Sequence, residues 1–196
     1  IWRKQLMSNS LPSLLVFCIC ILAGCTKIIH VATEEPIKQD PEKISLGTDI
    51  DDWELEILIG VNIKKTSPEL ENAHINITSY NRVVLLTGQA PSLEARILAA
   101  KTAKEYRGVR QVYNEIKVSG PTSFISRTND AWLSAKVKTK LMANEEVKSS
   151  SIKVVTENGV VFLMGLVARQ KGEVALRLAS ETGGAVSVVS AFEYTN

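Results

Sequence analysis

The chain contains an internal repeat, which constrains its fold more than any other feature of the sequence. The segments that match at a constant offset of 77 are residues 75–78 with 152–155 and residues 83–88 with 160–165. A later segment that begins at Gly108 matches one that begins at Gly184, now at an offset of 76. Because the order of the segments is preserved, the sequence predicts two tandem copies of one structural unit.

Each copy is predicted to fold as α-β-β-α-β, an α+β unit in which two helices cover a small three-stranded mixed sheet. The predicted helices span residues 52–65, 92–106, 130–143 and 170–182. Asn158-Gly159 favours a type I′ hairpin turn, and Tyr80-Asn81 is expected to form the turn of the first copy. Ser92 suits a helix N-cap, and Gly108 and Gly184 suit left-handed positions after helices.

The repeat divides the chain into domains of similar length. The first is predicted at residues 49–119, the second at 128–196, and a linker at 120–127 between them. Residues 25–48 are polar, include Pro36 and Pro41 and lack a sustained period, which is typical of a flexible tether.

The N-terminal residues 1–24 have the pattern of a secretory signal. Arg3 and Lys4 precede an uncharged stretch, residues 11–22, that is too short for the roughly 20 residues of a membrane-spanning helix. Because a start at Met7 would omit both basic residues, we interpret Ile1 as an unusual start codon or a truncated upstream end.

The end of this signal, Leu22-Ala23-Gly24-Cys25, resembles the lipobox of bacterial lipoproteins. The resemblance implies cleavage before Cys25, a diacylglycerol on its thiol and acylation of the new amine. Thr26, where an aspartate would retain a lipoprotein in the inner membrane, favours the outer membrane, on its periplasmic face.

The composition after cleavage argues against several functional classes. Loss of Arg3 and Lys4 lowers the basic residues from 23 to 21, equal to the 21 acidic ones, and a neutral chain does not favour nucleic-acid binding. His30 and His74 are the two histidines, and Cys25 would carry lipid. We therefore expect no enzyme, cofactor or metal site, and we attribute the acidic residues around Asp52 to the helix dipole.

The tandem units resemble the BON domain, through a strand ending in Thr-Gly or Met-Gly and a later Gly-Val-x-x-Val strand. The likeness covers nearly all of residues 49–196 and is closest at 129–132 and 156–167. With the lipobox, the chain is similar to dual-BON outer-membrane lipoproteins of the division- and stress-associated type. This resemblance implies a non-catalytic periplasmic protein that binds phospholipid and supports envelope integrity.

The helix predicted at 130–143 has two apolar faces when its residues are placed at 100° intervals. One face, with Leu133, is expected to pack on the sheet. The other contains Trp132, Ala135, Thr139 and Met142. Lysines beside such a strip suit an anionic membrane surface. The predicted phospholipid-binding residues are Trp132, Leu133, Lys136, Lys138, Thr139, Lys140 and Met142. Alternatively, Trp132 is buried between the domains or over the sheet.

The corresponding helix of the first copy is apolar around most of its circumference, from Leu55 to Ile63. We expect its extra surface to pack against the second domain or a partner. Two other functions remain open at this point. The second domain could act as an adaptor that docks an envelope or division-site protein, with the lipid only as a tether. Alternatively, the domains could sense a small cation or an osmolyte.

Overall fold

The computed structural model describes residues 46–120 and 124–195, with side chains from Asp51 and Ser126 onward in the two segments. The predicted signal, Cys25 and most of the predicted tether lie outside the described residues. The first copy consists of α1 (Leu46–Thr66), α2 (Pro68–Glu71), β1 (His74–Tyr80), β2 (Val83–Ala90), α3 (Leu93–Glu105), β3 (Gln111–Asn114) and β4 (Lys117–Val118). The second consists of α4 (Phe124–Met142), β5 (Ile152–Glu157), β6 (Val160–Ala168), α5 (Arg169–Ser180) and β7 (Ser187–Thr195).

Both copies form the predicted mixed sheet with two main helices. In each, the hairpin strands pair antiparallel and the middle strand pairs in parallel with the last one. The last strand of the first copy is interrupted, so that β3 and β4 both pair with β2 and this sheet has four strands. The two large N-terminal helices begin at Leu46 and Phe124, earlier than residues 52 and 130. The α+β class is confirmed.

The hairpin turns differ in how well the sequence predicts them. Asn158 and Gly159 have φ angles of 51° and 74°, which confirms the type I′ expectation. In the first copy the prediction was wrong by one residue. Tyr80 pairs with Val83 as the end of β1, and the turn residues are Asn81 (φ 51°) and Arg82 (φ 62°).

Glycines at equivalent positions allow the hairpin strands to approach closely. Gly88 pairs with Ile75, and Gly165 pairs with Ile152. A Cβ atom at Gly88 would lie 2.0 Å from the carbonyl oxygen of His74. At Gly165 it would lie 2.4 Å from the carbonyl oxygen of Ser151. A side chain cannot occupy either position without a shift of the backbone, which explains why both strands contain a glycine there.

The middle strands have apolar side chains on both faces, and each face has a partner. Alternate residues such as Val84 and Leu163 belong to two cores between a sheet and its helices. The intervening residues form a third cluster that joins the two sheets. That cluster contains Val83, Leu85, Val160, Phe162, Met164 and Ala191. The two copies are therefore held together by apolar contact between the faces of their sheets that point away from the helices.

Polar contacts surround this third cluster. Glu157 is buried and accepts hydrogen bonds from Gln89 Nε2 (2.6 Å) and Asn76 Nδ2 (3.1 Å). At another edge, the guanidinium group of Arg110 donates two hydrogen bonds to Glu193, from Nη2 to Oε1 (2.6 Å) and from Nη1 to Oε2 (3.0 Å). These bonds join residues that are 68 to 83 positions apart in sequence. They fix the second sheet against the first.

Candidate functional site

A buried aspartate fixes the start of each large helix to the neighbouring hairpin. Asp130 of α4 accepts hydrogen bonds from the backbone N–H groups of Asn158 and Gly159, both at 2.8 Å. Asp52 of α1 accepts from the N–H groups of Asn81 (2.6 Å) and Arg82 (2.7 Å). The carboxylate thus satisfies the amides of a tight turn, so the orientation of the helix is set by the hairpin beneath it.

Helix α4 presents the predicted second strip to solvent. Trp132 is 68% exposed and Met142 is 73% exposed, while Ala135 and Thr139 between them are also exposed. Because its indole is exposed, Trp132 is not buried between the domains or over the sheet. We name Trp132, Ala135, Thr139 and Met142 the outer strip. It forms an accessible apolar surface along more than two turns of the helix.

Leu133 has a different environment from the rest of the predicted site. It is 4% exposed and belongs to the core between α4 and the second sheet, together with Val137 and Leu141. This confirms the predicted core face of the helix. Leu133 therefore supports the outer strip from below and offers little surface of its own.

Two of the three site lysines contact the end of helix α5. Lys136 Nζ donates a hydrogen bond to the carbonyl oxygen of Gly183, and Lys140 Nζ donates to that of Glu181 at 2.8 Å. Carbonyls at a helix C-terminus carry partial negative charge, so ammonium groups are favoured there. Lys138 lies on the opposite side of α4, is exposed, and has no hydrogen bond or ion pair within residues 46–120 and 124–195.

A shallow pocket of about 360 Å³ opens beside Trp132. Trp132 and Lys136 line one side, and the backbone at Gly159 and Gly184 lines the other. Asn129 adds a polar side chain at its rim. This arrangement places an aromatic ring and an ammonium group around a cavity of the size of a small polar headgroup.

The first copy has a pocket of about 400 Å³ in the same structural position, lined in part by Glu54, Leu58 and Gly108. Glu54 occupies the helix position of Trp132, and Leu58 occupies that of Lys136, at an offset of 78. The pocket also contains Arg82, which forms an ion pair with Asp51 at 2.7 Å. Tyr106 and Arg107 line the first pocket as well, so its aromatic and cationic groups come from elements other than α1. Helix α1 supplies neither an aromatic nor a lysine at the positions of Trp132 and Lys136.

The outer face of α1 excludes one of the two contacts predicted for it and includes a residue, Trp53, that the sequence analysis does not name. Ile57 and Val61 are 44% and 43% exposed, so this surface does not pack against the second domain, and its contact with a partner stays a prediction. Trp53, one turn before Ile57, is 64% exposed. The spacing of 53, 57 and 61 is the signal that could have identified this strip, because residues four apart share a helix face.

Other kinds of site receive no support from the described residues. Across residues 46–120 and 124–195, no group of three or more histidine, cysteine or acidic side chains could hold a metal ion. The described helices also include none that is long and apolar enough to cross a bilayer.

Comparison with known proteins places these features in a family. The model of the BON domain matches residues 59–120 and again residues 129–196. The chain belongs to the BON family. The two matches cover well over half of the chain, and together they contain both sheets and the outer strip of α4.

Individual relatives extend the similarity beyond the two domains. The chain is 35% identical over 173 residues to the outer membrane lipoprotein DolP of Haemophilus influenzae, covering 88% of this chain and 90% of the relative. It is 37% identical over 150 residues to the 21 kDa hemolysin of Actinobacillus pleuropneumoniae, covering 76% and 77% of the two chains. The osmotically-inducible protein Y of Escherichia coli is 30% identical over 122 residues, 61% of each chain. The first relationship supports an outer-membrane lipoprotein of the BON family.

Proposed function

We propose that the protein is anchored through acyl chains on Cys25 to the periplasmic face of the outer membrane and binds anionic phospholipid through α4 of its second BON domain. In this function it supports envelope integrity without catalysis and without a cofactor. The observation that carries the proposal is the exposure of Trp132 and Met142 at opposite ends of the outer strip. Exposed indole and thioether groups on one helix face are a membrane-interface pattern when lysines flank them.

The lysines can serve the lipid surface while they contact α5. Lys140 is exposed and Lys136 is half-buried, so both ammonium groups remain near the outer strip. Each has three donors, of which the structure assigns one to a carbonyl. Lipid phosphates can accept from the remaining donors, and each lysine near an anionic surface contributes about 1 kcal/mol.

Insertion of the outer strip requires no unfolding. The core face of α4 is already covered by the sheet, so only the exposed side chains would enter the headgroup region. Partial burial of Trp132 and Met142 contributes about 25 cal/mol for each Å² of apolar surface removed from water. The affinity of such a contact is modest, and the acyl anchor would keep the domains close to the membrane.

A vesicle titration tests this proposal. The chain beginning at Thr26 is suitable because the three apolar clusters consist of residues 55–192. We expect it to co-sediment with vesicles that contain phosphatidylglycerol and not with vesicles of phosphatidylcholine alone. Trp132→Glu should lower the affinity for the vesicles that contain phosphatidylglycerol at least tenfold. Ile97→Glu is the matched control, because Ile97 is an exposed apolar helix residue of the first copy and the charge change is identical.

The outcomes separate the lipid site from its main alternative. If Trp132→Glu leaves binding to anionic vesicles unchanged, the site assignment is wrong. If it leaves lipid binding unchanged but abolishes capture of an envelope protein, the outer strip is an adaptor surface. Equal loss in Trp132→Glu and Ile97→Glu would indicate a general effect of charge and would contradict a local site.

A further inference from the structure

A groove between the two copies is lined by Lys138, the lysine of the predicted site that makes no hydrogen bond or ion pair within the described chain. Its volume is about 360 Å³, and its lining includes Trp53 and Glu56 of α1, Lys138 of α4 and Lys153 of β5. Lys136 and Lys140 donate to carbonyls at the end of α5, whereas Lys138 makes no hydrogen bond within the described chain. The ammonium group of Lys138 therefore lines a groove to which both domains contribute residues.

The carboxylates in this groove are already satisfied. Glu56 Oε1 accepts from the N–H of Ser79 (2.7 Å) and from Lys153 Nζ (2.7 Å). Asp52 accepts from Ser79 Oγ (2.7 Å) in addition to the two amides of the hairpin turn. Neither acid pairs with Lys138, because Glu56 is paired with Lys153 and Asp52 is engaged by the hairpin turn and Ser79. The Lys138 ammonium can therefore donate its hydrogen bonds to an oxygen of a lipid phosphate.

The same groove opens onto an exposed strip of the first copy. Trp53, Ile57 and Val61 follow one another at four-residue intervals along α1 and are 64%, 44% and 43% exposed. Lys64 lies on the same face one turn further, and it too has no partner among the described residues. An indole at one end, aliphatic side chains in the middle and an ammonium group at the other end form an interfacial pattern like that of α4.

We propose that this strip of α1 and the adjoining groove form a second contact with the anionic bilayer, in which Lys138 binds a lipid phosphate and Trp53 lies at headgroup depth. The inference rests on the proposed function, because the occupant is the membrane that the outer strip of α4 binds. Lys138 belongs to α4 and lines the groove of Trp53, so the two surfaces adjoin each other at this residue.

The position of the predicted anchor supports the membrane as the occupant. Trp53 lies seven residues after the start of α1, and Cys25 lies 21 residues before that start. A chain of that length spans at most about 70 Å. Helix α1 is the first described element after Cys25, so this segment limits the distance between the start of α1 and the bilayer.

Tryptophan fluorescence tests the proposal directly. The sequence has three tryptophans, and a chain beginning at Thr26 retains Trp53 and Trp132. In Trp132→Phe, Trp53 is the sole tryptophan. We expect its emission to shift to shorter wavelength by about 5 nm or more with vesicles containing phosphatidylglycerol, and brominated lipid to quench it. Vesicles of phosphatidylcholine should cause neither change. Lys138→Gln should reduce the shift of Trp53 at least threefold at limiting lipid.

A matched control places a tryptophan on another exposed helix. Ile97→Trp in a chain that also carries Trp53→Phe and Trp132→Phe should show no shift, because Ile97 lies on α3 outside both strips. An unshifted Trp53 in a chain that still co-sediments with anionic vesicles would overturn this inference alone. Failure of the chain with both tryptophans to bind any anionic vesicle would overturn the proposed function as well. An equal shift at position 97 would show non-specific adsorption and would also overturn the second contact.

Discussion

The two BON copies share their internal frame and differ in their outer faces. Asp52 and Asp130 bind the hairpin turns of their own copies, and Gly88 and Gly165 occupy the same strand position. On the surface above this frame, Trp132 corresponds to Glu54. Folding thus constrains the residues beneath the helix, whereas the exposed residues are free to specialise. The proposed lipid contact therefore involves exposed residues, which contribute little to stability.

The shared glycines provide the largest expected effect. Gly88→Ala and Gly165→Ala should each lower the free energy of unfolding by about 3 kcal/mol, because the new Cβ would meet backbone at 2.0 and 2.4 Å. Gly88→Ala should be the more damaging, since its φ of 104° adds strain. Urea unfolding measures both. Gly183→Ala is the control, with no atom within 4 Å, and equal midpoints for Gly88→Ala and Gly183→Ala would contradict the account.

The aspartates that bind the turns offer a smaller and graded test. Asp52→Ala should cost about 2 kcal/mol and Asp130→Ala about 1.5 kcal/mol, because a charged acceptor stabilises each amide and Asp52 has the additional Ser79 hydroxyl. Thermal unfolding of each variant checks the order. Glu54→Ala, on the same helix and without a described hydrogen bond, should change the midpoint by less than either. A larger loss of stability for Asp130→Ala than for Asp52→Ala would contradict the contribution assigned to the Ser79 hydroxyl.

Transplantation tests whether the outer residues alone account for lipid selection. Glu54→Trp with Leu58→Lys would place the aromatic and the ammonium group of the second pocket in the first. In a chain that carries Trp132→Glu, we expect these changes to restore anionic-vesicle affinity about fivefold, which corresponds to about 1 kcal/mol. Co-sedimentation measures the gain. If a folded variant shows no gain in affinity for anionic vesicles, other residues of the second copy must also contribute to lipid binding.

The lysines of α4 give the smallest expected effects on stability. Lys140→Ala should lower the free energy of unfolding by about 0.5 kcal/mol, because its ammonium group contacts a carbonyl at the end of α5. Lys138→Ala should leave it unchanged within the accuracy of a denaturant titration, since Lys138 has no partner in the described chain. A larger loss for Lys138→Ala would contradict the assignment of these two roles.

The sequence predicts the core of this fold well because burial imposes a period. Leu133, Val137 and Leu141 recur at helical spacing, and all three are buried as expected. Apolar residues on both faces of β6 are likewise typical of a sheet covered on two sides, and they belong to a cluster on each face. Such patterns are local, so a single helix or strand contains enough information.

Contacts between distant segments could not be predicted in this way. Lys136 and Lys140 donate to carbonyls 47 and 41 residues away, a contact that depends on how α4 and α5 pack. The turn at Asn81 and Arg82 was misplaced because arginine rarely adopts a positive φ, and its stabilising carboxylate comes from Asp52 in another element. Trp53, by contrast, has a local signal, because it extends the four-residue spacing of Ile57 and Val61 on one face of α1.

Fluorescence of Trp132 tests the central claim most directly. In the chain that begins at Thr26 and carries Trp53→Phe, Trp132 is the sole tryptophan. We predict that vesicles containing phosphatidylglycerol shift its emission to shorter wavelength and protect it from an aqueous quencher, whereas vesicles of phosphatidylcholine leave it unchanged. An emission maximum and a quenching constant that stay the same in saturating anionic vesicles would contradict lipid binding by the outer strip.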